Sequence, residues 1–132
     1  MKTLRLHHIG LIVENIDNAV EHYRLLHPNA TTSPRYVVHS QGVSVLFFQV
    51  SKDLCFEFIE ETRHPSAITT FKKKGINFYH VGYKSSEFDN TIKELEESGY
   101  KIFDTIISEA YQHKRVRFVL SPDLHWLEII EE

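Results

Sequence analysis

The chain has 132 residues, 42% of them hydrophobic, enough to build a core for one domain or for two very small modules that share it. Its formal charge is −3 and its basic residues are scattered apart from Lys72, Lys73 and Lys74, which excludes the broad basic field that nucleic acid or an anionic membrane requires. No apolar run approaches the roughly 20 residues that span a bilayer; the single Cys55 excludes an internal disulfide, and the start of the chain lacks a signal-peptide core, so a cytoplasmic setting is expected.

In chain order, residues 6–13 form an apolar, β-branched run that reads as a buried strand. Asn15 then caps a helix whose apolar positions Ile16, Ala19, Val20 and Tyr23 recur at helical spacing. Pro28, Asn29 and residues 31–34 break regularity. Three strands are expected next, over 36–38, 43–50 and 54–60, the last two joined by the polar turn Ser51, Lys52, Asp53. A short helix over 65–74, closed by Gly75, links to a second series. That series has a strand over 78–83, a helix with Phe88, Ile92 and Leu95 that stops at Gly99, and strands over 101–107, 115–120 and 126–130.

The second series repeats the first. The segment LHHIGLIVENIDNAVEHY aligns with YHVGYKSSEFDNTIKEL so that His8 falls on His80, Gly10 on Gly82, Asp17 on Asp89 and Asn18 on Asn90, an offset of 72 without a gap. The ends of the copies align at an offset of 71, Val45 with Val116, Phe47 with Phe118, Glu57 with Glu128 and Ile59 with Ile130. The expected fold class is α+β, two tandem βαβββ modules whose sheets enclose a cavity. They are read as one domain, 1–132, with module one over about 4–62, the linker helix over about 65–75 and module two over about 77–132.

Each copy thus carries one histidine on its first strand and one glutamate on its last. Strand alternation puts Glu57 on a face with Cys55 and Ile59, and Glu128 on a face with Trp126 and Ile130, so both carboxylates point into protein. A buried carboxylate without a partner is costly, and two at equivalent positions need cations or donors. One shared divalent ion satisfies both, and the candidate ligands are His8, Glu57, His80 and Glu128. A set of two imidazoles and two carboxylates suits Co, Ni, Mn, Zn or Fe(II), with water completing the sphere. His7 points to the opposite face of its strand. His22, His27, His64, His113 and His125 fall on helix or loop and read as surface or supporting residues, and Cys55 reads as packing.

These residues carry a resemblance. The chain resembles the vicinal oxygen chelate (glyoxalase/bleomycin resistance/dioxygenase) superfamily, and within it the methylmalonyl-CoA epimerase family. LHHIGLIVENIDNAVEHY resembles the family's opening strand and helix, QGVSVLFFQV and LCFEFIEE its central hairpin, and SAITTFKKKGINFYHVGY the linker into the second metal histidine. SPDLHWLEIIE resembles the closing hairpin of glyoxalase I. The resemblance implies a glyoxalase-like fold, a homodimer, metal ligands at His8, Glu57, His80 and Glu128, and an acid/base role for Glu128 beside the ion. It implies an epimerase or isomerase that removes a proton α to a metal-chelated carbonyl of an acyl-CoA-like substrate, with two alternatives: a lyase forming a glutathione thioester, lactoylglutathione, or a non-catalytic drug-binding protein of the same fold. Two positions depart from the epimerase pattern. Ser40 precedes Gln41 where epimerases carry an acidic residue for the second proton transfer, leaving His39 as the candidate for that role. Asp123, Leu124 and His125 occupy a stretch usually given to glycines.

Overall fold

The computed structural model describes residues 4–132. It divides into two compact units, His8–Tyr79 and His80–Glu132, the latter together with the chain up to His7. Each unit is a mixed sheet with one helix on one face.

In the unit His8–Tyr79, strand β1 (Leu4–Ile12) runs parallel to β5 (Cys55–Glu61), and β5 pairs antiparallel with β4 (Val43–Gln49). Two short strands, β2 (Thr31–Thr32) and β3 (Tyr36–Val38), pair end to end along the other side of β4. β2 lies where the sequence reads as irregular. Ser33 explains the difference: its amide donates to the Phe47 carbonyl and its hydroxyl accepts from the Phe47 amide, both at 2.9 Å, which carries the edge past Pro34. Helix α1 (Ile16–Arg24) starts at Asn15, whose side chain accepts from the Asn18 amide at 2.9 Å. Its apolar side packs on Leu11, Leu46, Phe48 and Phe58. Since side chains alternate along a strand, that core uses one face of the sheet and leaves His8, Phe47, Cys55 and Glu57 on the other.

The linker forms a shorter helix than the spacing suggests, α2 (Thr69–Lys73). The Glu61 carboxylate accepts from the hydroxyls of Ser66, at 2.5 Å, and Thr69, while the Ser66 amide donates to Thr69 Oγ1 at 2.7 Å. Those bonds hold residues 65–68 in a turn instead of a helical start.

The unit ending at Glu132 repeats this plan. Strand β6 (Phe78–Ser85) runs parallel to β9 (Trp126–Glu131), which pairs antiparallel with β8 (Lys114–Leu120), and β8 with β7 (Lys101–Ser108). Helix α3 (Phe88–Glu97) packs Phe88, Ile92 and Leu95 on Val119 and Ile129. The opposite face carries His80, Gly82, Phe118 and Glu128. A 3-10 turn, Glu109–Tyr111, joins β7 to β8, an element without a sequence signature. The fold is α+β with βαβββ-like modules. Among the described residues, no helix is long and apolar enough to cross a membrane.

Candidate metal centre

The same four-part arrangement occurs in each unit. Glu57 sits on β5 with Gly10 as its partner on β1 and Phe47 as its partner on β4. Glu128 sits on β9 with Gly82 as its partner on β6 and Phe118 as its partner on β8. Directly opposed side chains in neighbouring strands come within about 5 Å of each other, so a side chain at either glycine would stand beside the carboxylate. Its absence lets the histidine two residues earlier on the same face reach across. His8 Nε2 lies 3.3 Å from Glu57 Oε1, and His80 Nε2 lies 3.6 Å from Glu128 Oε1. The phenylalanines flank the imidazoles edge-on, with centroids at 6.1 Å for His8 and Phe47 and 5.4 Å for His80 and Phe118.

All four side chains are buried, His8 completely and the other three to 5% exposure or less. The spacing within each pair is informative. A nitrogen–oxygen distance of 3.6 Å is too long for a hydrogen bond and 3.3 Å is beyond the usual range. Two ligands each about 2.1 Å from one ion and at right angles to each other lie about 3 Å apart. Each pair therefore has the donor chemistry and nearly the spacing of half a divalent-ion site, and the residues present fit such an ion.

The second pair has a further partner. Tyr111, at the end of the 3-10 turn and 8% exposed, donates from its hydroxyl to Glu128 Oε1 at 3.1 Å. Its ring meets the His7 ring edge-on at 6.1 Å. Sequence reasoning did not single out Tyr111. The signal was available, because continuing the offset of 71 backwards aligns Gln41 with Gln112 and Ser40 with Tyr111. Gly42 and His113 both take left-handed backbone angles, φ 68° and 61°, while the second turn is one residue longer: the Gly42 amide donates to the Val38 carbonyl four residues back at 3.0 Å, and the His113 amide to the Ser108 carbonyl five residues back at 2.8 Å.

His39 lies on the exposed turn between β3 and β4, its carbonyl held by the Arg63 guanidinium at 2.5 Å. The adjoining end of β4, Val43, pairs with Glu61, four residues along β5 from Glu57, or about 13 Å at the usual strand rise. The hairpin itself thus does not bring His39 alongside Glu57. Cys55 is buried, opposite His8 in register. His27 packs its ring against Phe48 and Phe56, and His64, His113 and His125 are exposed in loops.

Comparison with known proteins bears on these halves. A structure of a hypothetical protein from Bacillus halodurans C-125 superimposes with a TM-score of 0.85 at 20% identity, over 98% of this chain and 94% of that one. Methylmalonyl-CoA epimerase from Mycobacterium tuberculosis gives 0.83 at 19% identity, over 96% and 87%. A variant of the Streptomyces coelicolor methylmalonyl-CoA epimerase, solved with 2-nitronate-propionyl-CoA, gives 0.83 at 20% identity, over 98% of each chain. At such identities the likeness establishes the fold alone. Among curated proteins, none matches the chain by sequence. The model of one family matches residues 7–118, from the first candidate histidine strand into β8. On that match, the chain belongs to the glyoxalase/bleomycin resistance protein/dioxygenase superfamily.

Proposed function

We propose that His8, Glu57, His80 and Glu128 together hold one divalent ion, and that the chain is a metal-dependent isomerase that removes a proton α to a carbonyl of a small acyl substrate. The observation that carries this reading is the duplicated, buried His–Glu pair. Two carboxylates buried on the sheet faces opposite the helices are too costly to keep charged without a cation. Among the described residues, these four make up the group of His, Cys, Asp and Glu side chains able to offer one ligand atom each to a single ion.

A divalent ion held there supplies positive charge that stabilises the charge developing on a carbonyl oxygen as the neighbouring proton leaves. The chain supplies the rest. Glu128 is the group assigned to take the proton, since it combines burial with a donor, the Tyr111 hydroxyl, fixed at one of its oxygens. Inversion of configuration requires a second group on the far face of the substrate, and His39 is assigned to it. Ser40 beside it carries a hydroxyl, which is far too weak an acid to stand in for a carboxylate at neutral pH. Buried Phe118 and half-buried Phe47 give the two imidazoles an apolar flank. The acyl-CoA class of substrate is supported by the epimerase relatives, one solved with 2-nitronate-propionyl-CoA and one with methylmalonyl-CoA. A homodimer is part of the same reading.

The test is exchange of the α proton of methylmalonyl-CoA in deuterated water, followed by mass or NMR. Metal-loaded protein is expected to incorporate deuterium and metal-stripped protein is not. Absence of exchange by the loaded protein removes this substrate, and formation of lactoylglutathione from methylglyoxal and glutathione would move the assignment to a lyase. His39→Ala is expected to retain exchange while slowing inversion; a variant equal to the parent in both removes His39 from the mechanism.

A further inference from the structure

We infer that Tyr111 is a positioning residue for Glu128, fixing which carboxylate oxygen the second His–Glu pair presents to an ion. This rests on the metal reading above and adds to it a residue outside the four ligands. A glutamate carboxylate at the end of three rotatable torsions can offer either oxygen, or both, to a cation, and nothing in its own side chain selects among them. The Tyr111 hydroxyl donates to Oε1 at 3.1 Å, the same oxygen that faces His80 Nε2 at 3.6 Å, and so fixes the rotation of the carboxylate.

The backbone is built to aim that phenol. Ser108 caps the 3-10 turn, its side chain accepting from the Ala110 amide at 3.2 Å, and its carbonyl accepts from the His113 amide at 2.8 Å. Two consecutive non-glycine residues, Gln112 and His113, take left-handed angles immediately after Tyr111, φ 57° and 61°. Such backbone is costly and persists where its surroundings over-determine it. The His7 ring, edge-on at 6.1 Å, limits the tilt of the phenol. In the first copy the corresponding position is Ser40, which is exposed and too short to make the equivalent reach. The duplication has thus been made unequal at this position, and the inequality falls on the glutamate assigned to proton transfer. Partners that orient a ligand from outside the coordination sphere typically change metal affinity by about 10–100-fold when removed.

Cobalt(II) binding to the full chain, read by titration calorimetry and by the visible absorption of the bound ion, tests this together with the melting temperature of the metal-free protein. Tyr111→Phe is expected to leave the metal-free melting temperature within a few degrees of the parent, to weaken cobalt by about tenfold and to shift its absorption. In a Glu128→Ala background, which removes the acceptor, the same substitution is expected to have no further effect on the remaining affinity, because the phenol acts through that carboxylate. Unchanged affinity and spectrum in Tyr111→Phe, or an undiminished effect in the Glu128→Ala background, overturns the inference while leaving the metal reading in place. A parent protein that takes up no cobalt overturns both. Should Tyr111→Phe not fold, Ser108→Ala, which loosens the turn that aims the phenol, is expected to weaken cobalt in the same direction, and unchanged affinity there overturns the inference.

Discussion

Glu61 shows how strongly single side chains are set by their neighbours. Hydroxyl donation from Ser66 and Thr69, with smaller contributions from His64 and Lys72, holds its carboxyl down to about 2, against 4.5 for a free glutamate. A lowered folded-state value means that the ionised form is stabilised by folding. The contribution is therefore complete above about pH 4.5 and is lost as pH falls from there towards 2. Melting curves of metal-free parent and Glu61→Gln protein are expected to differ at pH 7 and to converge by pH 2; a constant gap between them contradicts the assignment. The glycines beside the candidate ligands make a second residue-scale prediction. Gly82→Ala places a methyl at the cross-strand partner of Glu128. It is expected to reduce divalent-ion affinity by tenfold or more, measured by calorimetry, since a displacement of about 1 Å in a ligand set is enough to spoil it. The four candidate ligands were legible because each occurs twice at a fixed offset. Tyr111 was not, because its counterpart is serine and its chemistry arises only when a turn folds it onto Glu128.

At the scale of elements, the turns before β4 and β8 both end on a left-handed residue, although the second is one residue longer. Gly42 holds a positive φ and lies under Arg63, whose Cγ would be 2.8 Å from an added methyl. Gly42→Ala is expected to cost about 1–3 kcal/mol in chemical denaturation. His113→Gly, at the matching position, is expected to cost nothing or to stabilise slightly, because relief of the left-handed conformation offsets the added freedom of the unfolded chain. Equal destabilisation by both would contradict the left-handed assignment at His113. The long elements followed from periodicity: α1 starts at Asn15, α3 is followed by Gly99, and the strand pattern of each copy falls where β-branched runs fall. The departures, a two-residue β2 and a five-residue α2, come from side-chain hydrogen bonds, of Ser33 to Phe47 on a neighbouring strand and of Ser66 and Thr69 to each other and to Glu61, which apolar periodicity does not encode.

At the scale of the whole molecule, duplication is the feature from which the rest follows. A βαβββ unit buries one face of its sheet under its helix, and each copy here places a histidine and a glutamate on the other face, within 3.6 Å of each other and shielded from solvent. Ion binding to the folded chain alone adds stability in proportion to the logarithm of concentration over Kd, about 2.7 kcal/mol at one hundred times Kd. Chelation is therefore expected to lower the melting temperature of metal-loaded protein, and back-titration to restore it. The measurement that tests the central claim most directly is the metal content of purified parent protein and of His8→Ala, Glu57→Ala, His80→Ala and Glu128→Ala, each reconstituted with cobalt, nickel, manganese, zinc or iron(II) and then desalted. The account predicts one tightly held ion per parent chain and its loss or marked weakening in every one of the four variants. A parent that retains no ion, or variants that retain it as the parent does, would contradict it.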